Sequence, residues 1–203
     1  MKIAIYGGTF NPPHLGHLKL AIQMQETFSL DRILFMPSGN SYMKSGVLEK
    51  RHRYNMTNLM VCDFEHIAVS DYEVNKDGPS YTFETLTYFK ECYPTDQLYF
   101  IMGADSLMHI ENWKHPEIIF EKAGILCAFR KEFKNTNLDF SGLEKKAREL
   151  ESRFGGKIEL MAFHEAISSS EIRNKIMQDM DCTADLSEAV HRYIQENHLY
   201  QTL

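Results

Sequence analysis

Residues 2–17 read KIAIYGGTFNPPHLGH, a strand-forming run followed by two glycines, two prolines and two histidines. Because an amphipathic run from Leu15 to Phe28 comes next, the pattern predicts a strand, a glycine-rich turn and a helix. Such a turn lets phosphate oxygens approach the backbone, since glycine has no side chain and a helix N-terminus offers free N–H groups. Asn11 and Pro12 fit an N-cap followed by proline at the first helical position. We therefore expect an anion site at this turn.

His14 and His17 stand three residues apart at the predicted start of this helix, so both should project from one face. A lone histidine there is more often a cap or a surface residue, and two glycines after a strand usually form only a tight turn. Their combination in one short stretch favours a functional site. The spacing matches neither the G-x-G-x-x-G dinucleotide fingerprint nor the P-loop, so phosphate would be held by other means.

Length and composition predict a single domain over residues 1–203, since 203 residues with 43% hydrophobic content suffice for one core but not for two ordinary domains. Because the sequence shows no signal peptide, no apolar run near 18 residues and no lipidation motif, a soluble, cytoplasmic protein without a membrane partner is expected. The four cysteines form no C-x-x-C pair, so neither a zinc site nor a disulfide framework is predicted.

The formal net charge of −6 opposes a nucleic-acid partner, which would call for a basic face. An anionic small molecule can still bind where a few cations gather locally. The candidates are Lys44, Arg53, Arg130 and Arg173, each of which taken alone is more often a solvated surface charge.

Apolar runs of strand length alternate with helical patterns, which predicts an α/β fold with a Rossmann-like, doubly wound parallel sheet. Beyond the first strand, strands are predicted at 32–36, 67–74, 97–102, 124–129 and 157–161. Helices are predicted at 50–64, from a cap at Ser80 or Thr82, at 143–154 and, in a C-terminal helical part of about 168–203, at 168–177 and 186–199. The unusual stretches at 7–17, 37–44, 103–105, 130 and 168–173 each follow a predicted strand. Ligands bind at that edge of such sheets, so one cleft should collect them.

Two motifs carry a resemblance to a known family. His14-Leu15-Gly16-His17 resembles the H-x-G-H signature of the nucleotidyltransferase superfamily, and residues 167–173, ISSSEIR, are similar to its I-S-S-T-x-I-R motif. From the residues alone, the serine cluster predicts an anion nest at a helix start with Arg173 one turn in, or merely a capped helix. The resemblance implies that ATP is bound by Gly7, Gly8, Thr9, Phe10, His14, His17, Gly103, Asp105, Ile167, Ser168, Ser169, Ser170 and Arg173.

Residues 80–86, SYTFETL, narrow the resemblance to the bacterial nicotinate mononucleotide adenylyltransferases. Lys44 matches the lysine of the family loop P-x-x-x-P-P-H-K, although Tyr42 and Met43 stand where proline and histidine are common. Without the resemblance, Asp105 would be an ordinary helix cap and Trp113 a core residue. The resemblance implies that the mononucleotide is bound by Thr9, Lys44, Thr82, Asp105, Trp113 and Arg130, with the Trp113 indole stacking near the pyridine ring.

The activity implied by the resemblance is adenylyl transfer from ATP to nicotinate mononucleotide, giving nicotinate adenine dinucleotide and pyrophosphate in NAD biosynthesis. The attacking phosphate is already ionised, so catalysis needs positioning and charge cancellation, for which His14, His17, Lys44 and Arg173 are suited. Mg²⁺ would be carried on the ATP phosphates with no dedicated protein metal site. Alternatives are a related adenylyltransferase acting on phosphopantetheine or nicotinamide mononucleotide, and a nucleotide sensor without activity. The sequence leaves the oligomeric state open, a homo-oligomer included.

Overall fold

The computed structural model describes residues 1–40, 46–129 and 140–201. The strands are β1 (Lys2–Gly8), β2 (Arg32–Pro37), β3 (Ile67–Val69), β4 (Gln97–Gly103), β5 (Gly124–Phe129) and β6 (Ile158–Ala162). The helices are α1 (Leu15–Phe28), α2 (Lys50–Val61), α3 (Tyr72–Asn75), α4 (Thr82–Cys92), α5 (Ala104–His109), α6 (Pro116–Lys122), α7 (Phe140–Phe154), α8 (Ser169–Met177) and α9 (Glu188–Glu196), with a short 3-10 helix at Ile110–Asn112. Within these described ranges, every helix is too short or too polar to span a bilayer.

The six strands form one parallel sheet in the order β3-β2-β1-β4-β5-β6. The first strand of the chain therefore lies in the interior of the sheet, where Tyr6 pairs with Phe35 of β2 on one side and with Ile101 of β4 on the other. Strands covered on both faces read as continuous apolar runs, which is the pattern seen in β1, β2, β4 and β5. The predicted doubly wound α/β fold is confirmed.

Alternate residues of β1 enter two separate cores, one on each face of the sheet. Ala4 and Tyr6 pack with apolar residues of α1, α2, α8 and α9. Ile3 and Ile5 pack with apolar residues of α4, α5, α6 and α7. The period of two along a strand sends neighbours to opposite faces, so β1 anchors both helical layers.

Most predicted elements are found within a few residues of their expected bounds, but three expectations were wrong. The predicted strand at 67–74 ends at Val69, and residues 72–75 form the short helix α3, whose Tyr72 N–H donates to Ser70 Oγ (3.2 Å). Helix α4 is capped at Tyr81 rather than at Ser80 or Thr82. Asn11 does not cap α1, which begins at Leu15 with His14 as its N-cap. Helices α5 and α6 were not predicted, because segments of six and seven residues are too short to show a helical period.

Candidate active site

The candidate site lies at the carboxyl edge of the sheet between β1 and β4, where the strand order reverses. Gly7 and Gly8 end β1 with almost no room beside them, since a Cβ on Gly7 would lie 2.8 Å from the Phe100 ring and one on Gly8 would lie 2.6 Å from the Phe10 ring. Phe10 itself has a left-handed φ of 49°, so the chain turns sharply directly after the strand. The glycines thus let aromatic rings pack against the turn that leads to the histidines.

His14 and His17 project to the same side, as predicted, and their rings stack with centroids 3.7 Å apart. The His14 backbone N–H donates to His17 Nδ1 (3.2 Å). A neutral imidazole whose Nδ1 accepts a hydrogen bond carries its proton on Nε2. Burial, with the neighbouring His14 as a second cause, lowers the pKa of His17 well below its ordinary value. His17 is therefore a neutral Nε2–H donor at pH 7 rather than an imidazolium cation.

Residues 167–173 pack directly on this turn. Ser169 Oγ donates to the Pro12 carbonyl (2.8 Å), and Arg173 donates from one terminal nitrogen to the Asn11 carbonyl (2.7 Å) and from the other to Ser170 Oγ (3.3 Å). Ser168 caps α8 by accepting the Glu171 N–H (3.2 Å). The two sequence motifs, separated by some 150 residues, thus form one structure, and the N-terminus of α8 lies against the histidine turn.

Asn11 is buried and, instead of capping a helix, forms hydrogen bonds with residues from three distant segments. Its side-chain oxygen accepts hydrogen bonds from the Leu48 N–H (3.3 Å) and from the Tyr200 hydroxyl (2.8 Å). Its backbone carbonyl accepts from Arg173. Sequence patterns gave no sign of this role, because the partners of Asn11 are distant in the chain.

Arg53 was considered as a candidate cation for an anionic ligand, and the structure gives it another role. Its buried guanidinium donates to the backbone carbonyls of four residues and to one hydroxyl: Thr9 (2.7 Å), Ser38 (2.6 Å), Gly39 (3.0 Å), Leu48 (2.9 Å) and Ser38 Oγ (3.4 Å). A rigid fork with five donors suits this task, which an ammonium could not perform. Arg53 therefore fastens the loop after β1 to the loop after β2.

Glu73 is a second buried charged side chain that sequence analysis did not single out. Its carboxylate accepts the Thr85 hydroxyl (2.7 Å) and the Gly39 N–H (3.4 Å). Burial raises its pKa, and these two donors offset part of that effect. Gly39 passes so close that a Cβ would lie 2.2 Å from the Glu73 carbonyl oxygen. Thr85, the second threonine of the SYTFETL stretch, thus serves to hold the carboxylate that fixes the loop after β2.

Two of the residues expected to bind the mononucleotide, Thr82 and Trp113, lie on the β4 side of the crevice at the carboxyl edge of the sheet. Trp113 is half-buried and meets the Phe100 ring edge-on, with centroids 6.3 Å apart, so Phe100 separates the indole from Gly7. Thr82 begins α4, and Lys114 places its ammonium 4.3 Å from the centroid of the Tyr81 ring, close enough for a cation–π contact. Contacts of aromatic rings therefore predominate on this side.

Gly103 and Asp105 stand where β4 passes into α5. Gly103 is exposed and is the N-cap of that helix, while Asp105 is exposed in its first turn and is not the cap. A Cβ on Gly103 would meet no atom within 4 Å, so packing does not require glycine here. Lys44 and Arg130, both expected site residues, and the unusual Tyr42 and Met43 lie outside the described residues.

Comparison with known proteins places the chain among relatives of matching length. A family model described as Cytidylyltransferase-like matches residues 5–175. A protein of Lachnoclostridium phytofermentans named "Probable nicotinate-nucleotide adenylyltransferase" is 37% identical over 202 residues, covering 98% of each chain. A protein of Clostridium tetani with the same name is 37% identical over 203 residues, covering 98% of this chain and 99% of its own.

Solved structures support the fold. The nicotinic acid mononucleotide adenylyltransferase of Plasmodium falciparum, complexed with NaAD, superposes with a TM-score of 0.78 at 23% identity, covering 98% of this chain and 97% of the other. The same enzyme complexed with APC gives a TM-score of 0.74 at 22% identity, covering 98% and 96% of the two chains.

Proposed function

The chain belongs to the nicotinate-nucleotide adenylyltransferase family, within the cytidylyltransferase-like proteins, and from this membership we propose its reaction. It transfers the adenylyl group of ATP to nicotinate mononucleotide, giving nicotinate adenine dinucleotide and pyrophosphate in NAD biosynthesis. The observation that carries the proposal is the junction of the two motifs, in which Ser169 and Arg173 bind the backbone of the turn that presents His14 and His17.

The phosphate side supplies donors rather than a base or a nucleophile. The attacking phosphate of the mononucleotide is ionised at neutral pH, so the protein has only to align it and to stabilise charge on the departing pyrophosphate. His17 donates from Nε2 as a neutral imidazole, and His14 stacks against it. Arg173 adds a permanent cation, and its described hydrogen bonds engage two of its five N–H groups. Lys44 is proposed as a second cation.

ATP is proposed to lie against the turn and the start of α8. The binding residues are the backbone and side chains of Gly7, Gly8, Thr9, Phe10, His14 and His17, together with Gly103, Asp105, Ile167, Ser168, Ser169, Ser170 and Arg173. The helix N-terminus provides N–H groups for an anion. The mononucleotide is proposed to be bound by Thr9, Lys44, Thr82, Asp105, Trp113 and Arg130, with its pyridine ring near Trp113.

Mg²⁺ is proposed to bind together with ATP, on its phosphates. Among the described residues, no group of three or more His, Cys, Asp or Glu side chains is arranged to hold a metal ion. Mg²⁺ commonly keeps several waters and binds through substrate phosphates, which fits a site whose donors are mostly N–H groups. When bound, it would neutralise part of the triphosphate charge.

We also propose that residues 1–203 work as one nucleotidyltransferase domain, because the C-terminal part completes the N-terminal site. Arg173 and Tyr200 both bind Asn11, and the Leu15 N–H donates to the Asp185 carbonyl (2.9 Å). A cytoplasmic location and the absence of a nucleic-acid partner are part of this proposal.

Pyrophosphate release from ATP and Mg²⁺ tests the reaction when it is measured with four acceptors. These are nicotinate mononucleotide, nicotinamide mononucleotide, 4′-phosphopantetheine and flavin mononucleotide. Nicotinate mononucleotide should be used with roughly 10- to 150-fold higher kcat/KM than its amide, because an amide N–H₂ turned towards buried donors leaves one of them unpaired. Equal use of acid and amide would refute the specificity alone. Use of phosphopantetheine and neither pyridine nucleotide would refute the proposed reaction.

A further inference from the structure

Asn11 joins three distant segments of the chain, two through its side-chain oxygen and one through its backbone carbonyl. The side-chain oxygen accepts the N–H of Leu48, which precedes α2, and the hydroxyl of Tyr200, which follows α9. The backbone carbonyl of the same residue accepts from Arg173 on α8. Since an N–H group can only donate, the Leu48 contact shows that the amide oxygen, not the nitrogen, faces this junction.

The end of the chain is held in place to reach this junction. After α9, His198 and Tyr200 both have left-handed φ angles, 51° and 62°, which turn the backbone away from the helix axis. Leu199 between them is buried in the core that α1 and α2 share, and its N–H donates to the Ile194 carbonyl (3.0 Å). The packing of Leu199 and its backbone hydrogen bond therefore hold the segment that places the Tyr200 hydroxyl beside Asn11.

Tyr200 is a permanent donor in this position. Burial raises the pKa of its hydroxyl above the ordinary value, while the positive charges of Arg173 and Arg53 act in the opposite direction. The hydroxyl stays protonated throughout the physiological range, so the hydrogen bond to Asn11 does not depend on pH there.

We propose that Tyr200 is a positioning residue for adenylyl transfer, acting through Asn11 on Arg173. This inference rests on the proposed function and adds to it a residue some 27 positions beyond the second motif. Tyr200 touches no reacting group. Its hydroxyl fixes the peptide whose carbonyl holds the Arg173 guanidinium, and a small displacement of such a group is costly in rate because the reacting atoms must stay aligned.

Tyr200→Phe is the direct test, with Tyr193→Phe as its matched control. Tyr193 lies on α9, and its hydroxyl makes hydrogen bonds with Asn55 Nδ2 (3.0 Å) and His52 Nδ1 (2.9 Å), both of which belong to α2 and neither to the site. Each substitution removes one hydroxyl from the C-terminal part and keeps the ring. Because Tyr193→Phe loses two described hydrogen bonds and Tyr200→Phe one, simple loss of hydrogen bonding should lower Tm at least as much in the control.

Steady-state kinetics and calorimetry separate positioning from simple stabilisation. Tyr200→Phe should lower kcat/KM for ATP by roughly tenfold and weaken binding of a non-hydrolysable ATP analogue by roughly three- to tenfold, with KM for nicotinate mononucleotide within about twofold of wild type. Tyr193→Phe should leave all three within about twofold. Equal behaviour of the two variants would overturn the inference.

A double-mutant cycle with Arg173→Ala identifies the route of the effect. If Tyr200 acts on Arg173, the double variant should bind the analogue no more weakly than Arg173→Ala alone, whereas independent effects would multiply and would overturn the inference. The binding measurement requires no acceptor. A wild-type chain that binds the analogue but does not adenylylate nicotinate mononucleotide would refute the proposed function and leave this test intact.

Discussion

The two sides of the crevice are built by different means. On the β1 side, Arg53 and Arg173 bind backbone carbonyls of the loops, and Asn11 joins three segments through hydrogen bonds. On the β4 side, the Trp113 and Phe100 rings meet edge-on, the Lys114 ammonium lies over the Tyr81 ring, and Asp105 is exposed.

This difference matches what each side is proposed to hold. A triphosphate needs donors at fixed positions, and long-range hydrogen bonds to the backbone preserve those positions. A pyridine ring needs a flat apolar surface to stack on, and the stacking energy changes little when the ring is displaced slightly. Substitutions on the β1 side should therefore change turnover and stability, while those on the β4 side should change the affinity for one substrate. Four variants test this contrast.

His17→Ala should lower kcat by roughly 10² to 10³, about 3–4 kcal/mol, because it removes a donor that acts on charge developed in the transition state. KM for nicotinate mononucleotide should change much less. The measurement is steady-state pyrophosphate release, with circular dichroism to verify folding. His66→Ala, at an exposed histidine before β3, is the control and should keep wild-type turnover. A folded His17→Ala variant with near-normal kcat would remove His17 from the catalytic group.

Arg53→Ala should lower the free energy of unfolding by about 2–4 kcal/mol, because it leaves buried carbonyls of Thr9, Ser38 and Gly39 without their donor. Arg53→Lys should rescue only part of this loss, since one ammonium cannot reach all of these oxygens. Urea unfolding measures both. Arg51→Ala on the same helix, where one terminal nitrogen donates to Asn75, should cost less than about 1 kcal/mol. Equal costs at positions 51 and 53 would contradict the proposed clamp.

Trp113→Ala should raise KM for nicotinate mononucleotide by roughly 3- to 10-fold and leave KM for ATP nearly unchanged, because stacking on the indole serves only the acceptor. Trp113→Phe keeps an aromatic face and should recover much of the affinity. Initial rates with each substrate varied in turn provide the comparison. A matched rise in both KM values would show that Trp113 supports the whole crevice and would weaken the contrast between its two sides.

Glu73→Gln should flatten the pH dependence of stability. Because burial raises the folded-state pKa of Glu73, the folded chain retains a proton that the unfolded chain releases. Wild-type stability therefore falls as pH rises from the unfolded-state pKa to the raised folded-state pKa, by about 1.4 kcal/mol for each pH unit between them. Urea unfolding across this window, with the exposed Glu65→Gln as control, measures the slope. Identical slopes in wild type and Glu73→Gln would refute this assignment.

The sequence was sufficient for the features that depend on local pattern. Apolar runs located most of the strands, since the interiors of parallel strands buried on both faces are almost entirely apolar. The spacing of His14 and His17 predicted their shared face, and the stacked rings agree with it. The roles assigned to the site residues stay predictions until the variants are measured.

The features that the sequence did not reveal all depend on partners far along the chain. Asn11 looked like a cap because capping is its commonest local use, but its hydrogen bonds reach Leu48 and Tyr200. Arg53 was interpreted as a cation for a ligand because its partners are backbone carbonyls, which every residue has and which the sequence therefore cannot identify. Glu73 lay inside a run whose alternation suggested a strand, so its burial beside Thr85 was not foreseen.

The position of β1 also has a consequence for synthesis on the ribosome. Strand β1 is the first to be made, yet its second neighbour, β4, is complete only at Gly103. At ordinary rates of translation, the time between synthesis of β1 and completion of β4 is on the order of ten seconds. The corresponding time for β2, β4 or β5, from its own synthesis to completion of its later neighbour, is shorter. Until β4 is complete, one edge of Ile3–Tyr6 lacks its final partner, and an unpaired apolar strand edge attracts other chains. Aggregation of nascent chains should therefore depend more on residues 3–6 than on any later strand, although Ile3, Ala4 and Ile5 are fully buried in the finished sheet.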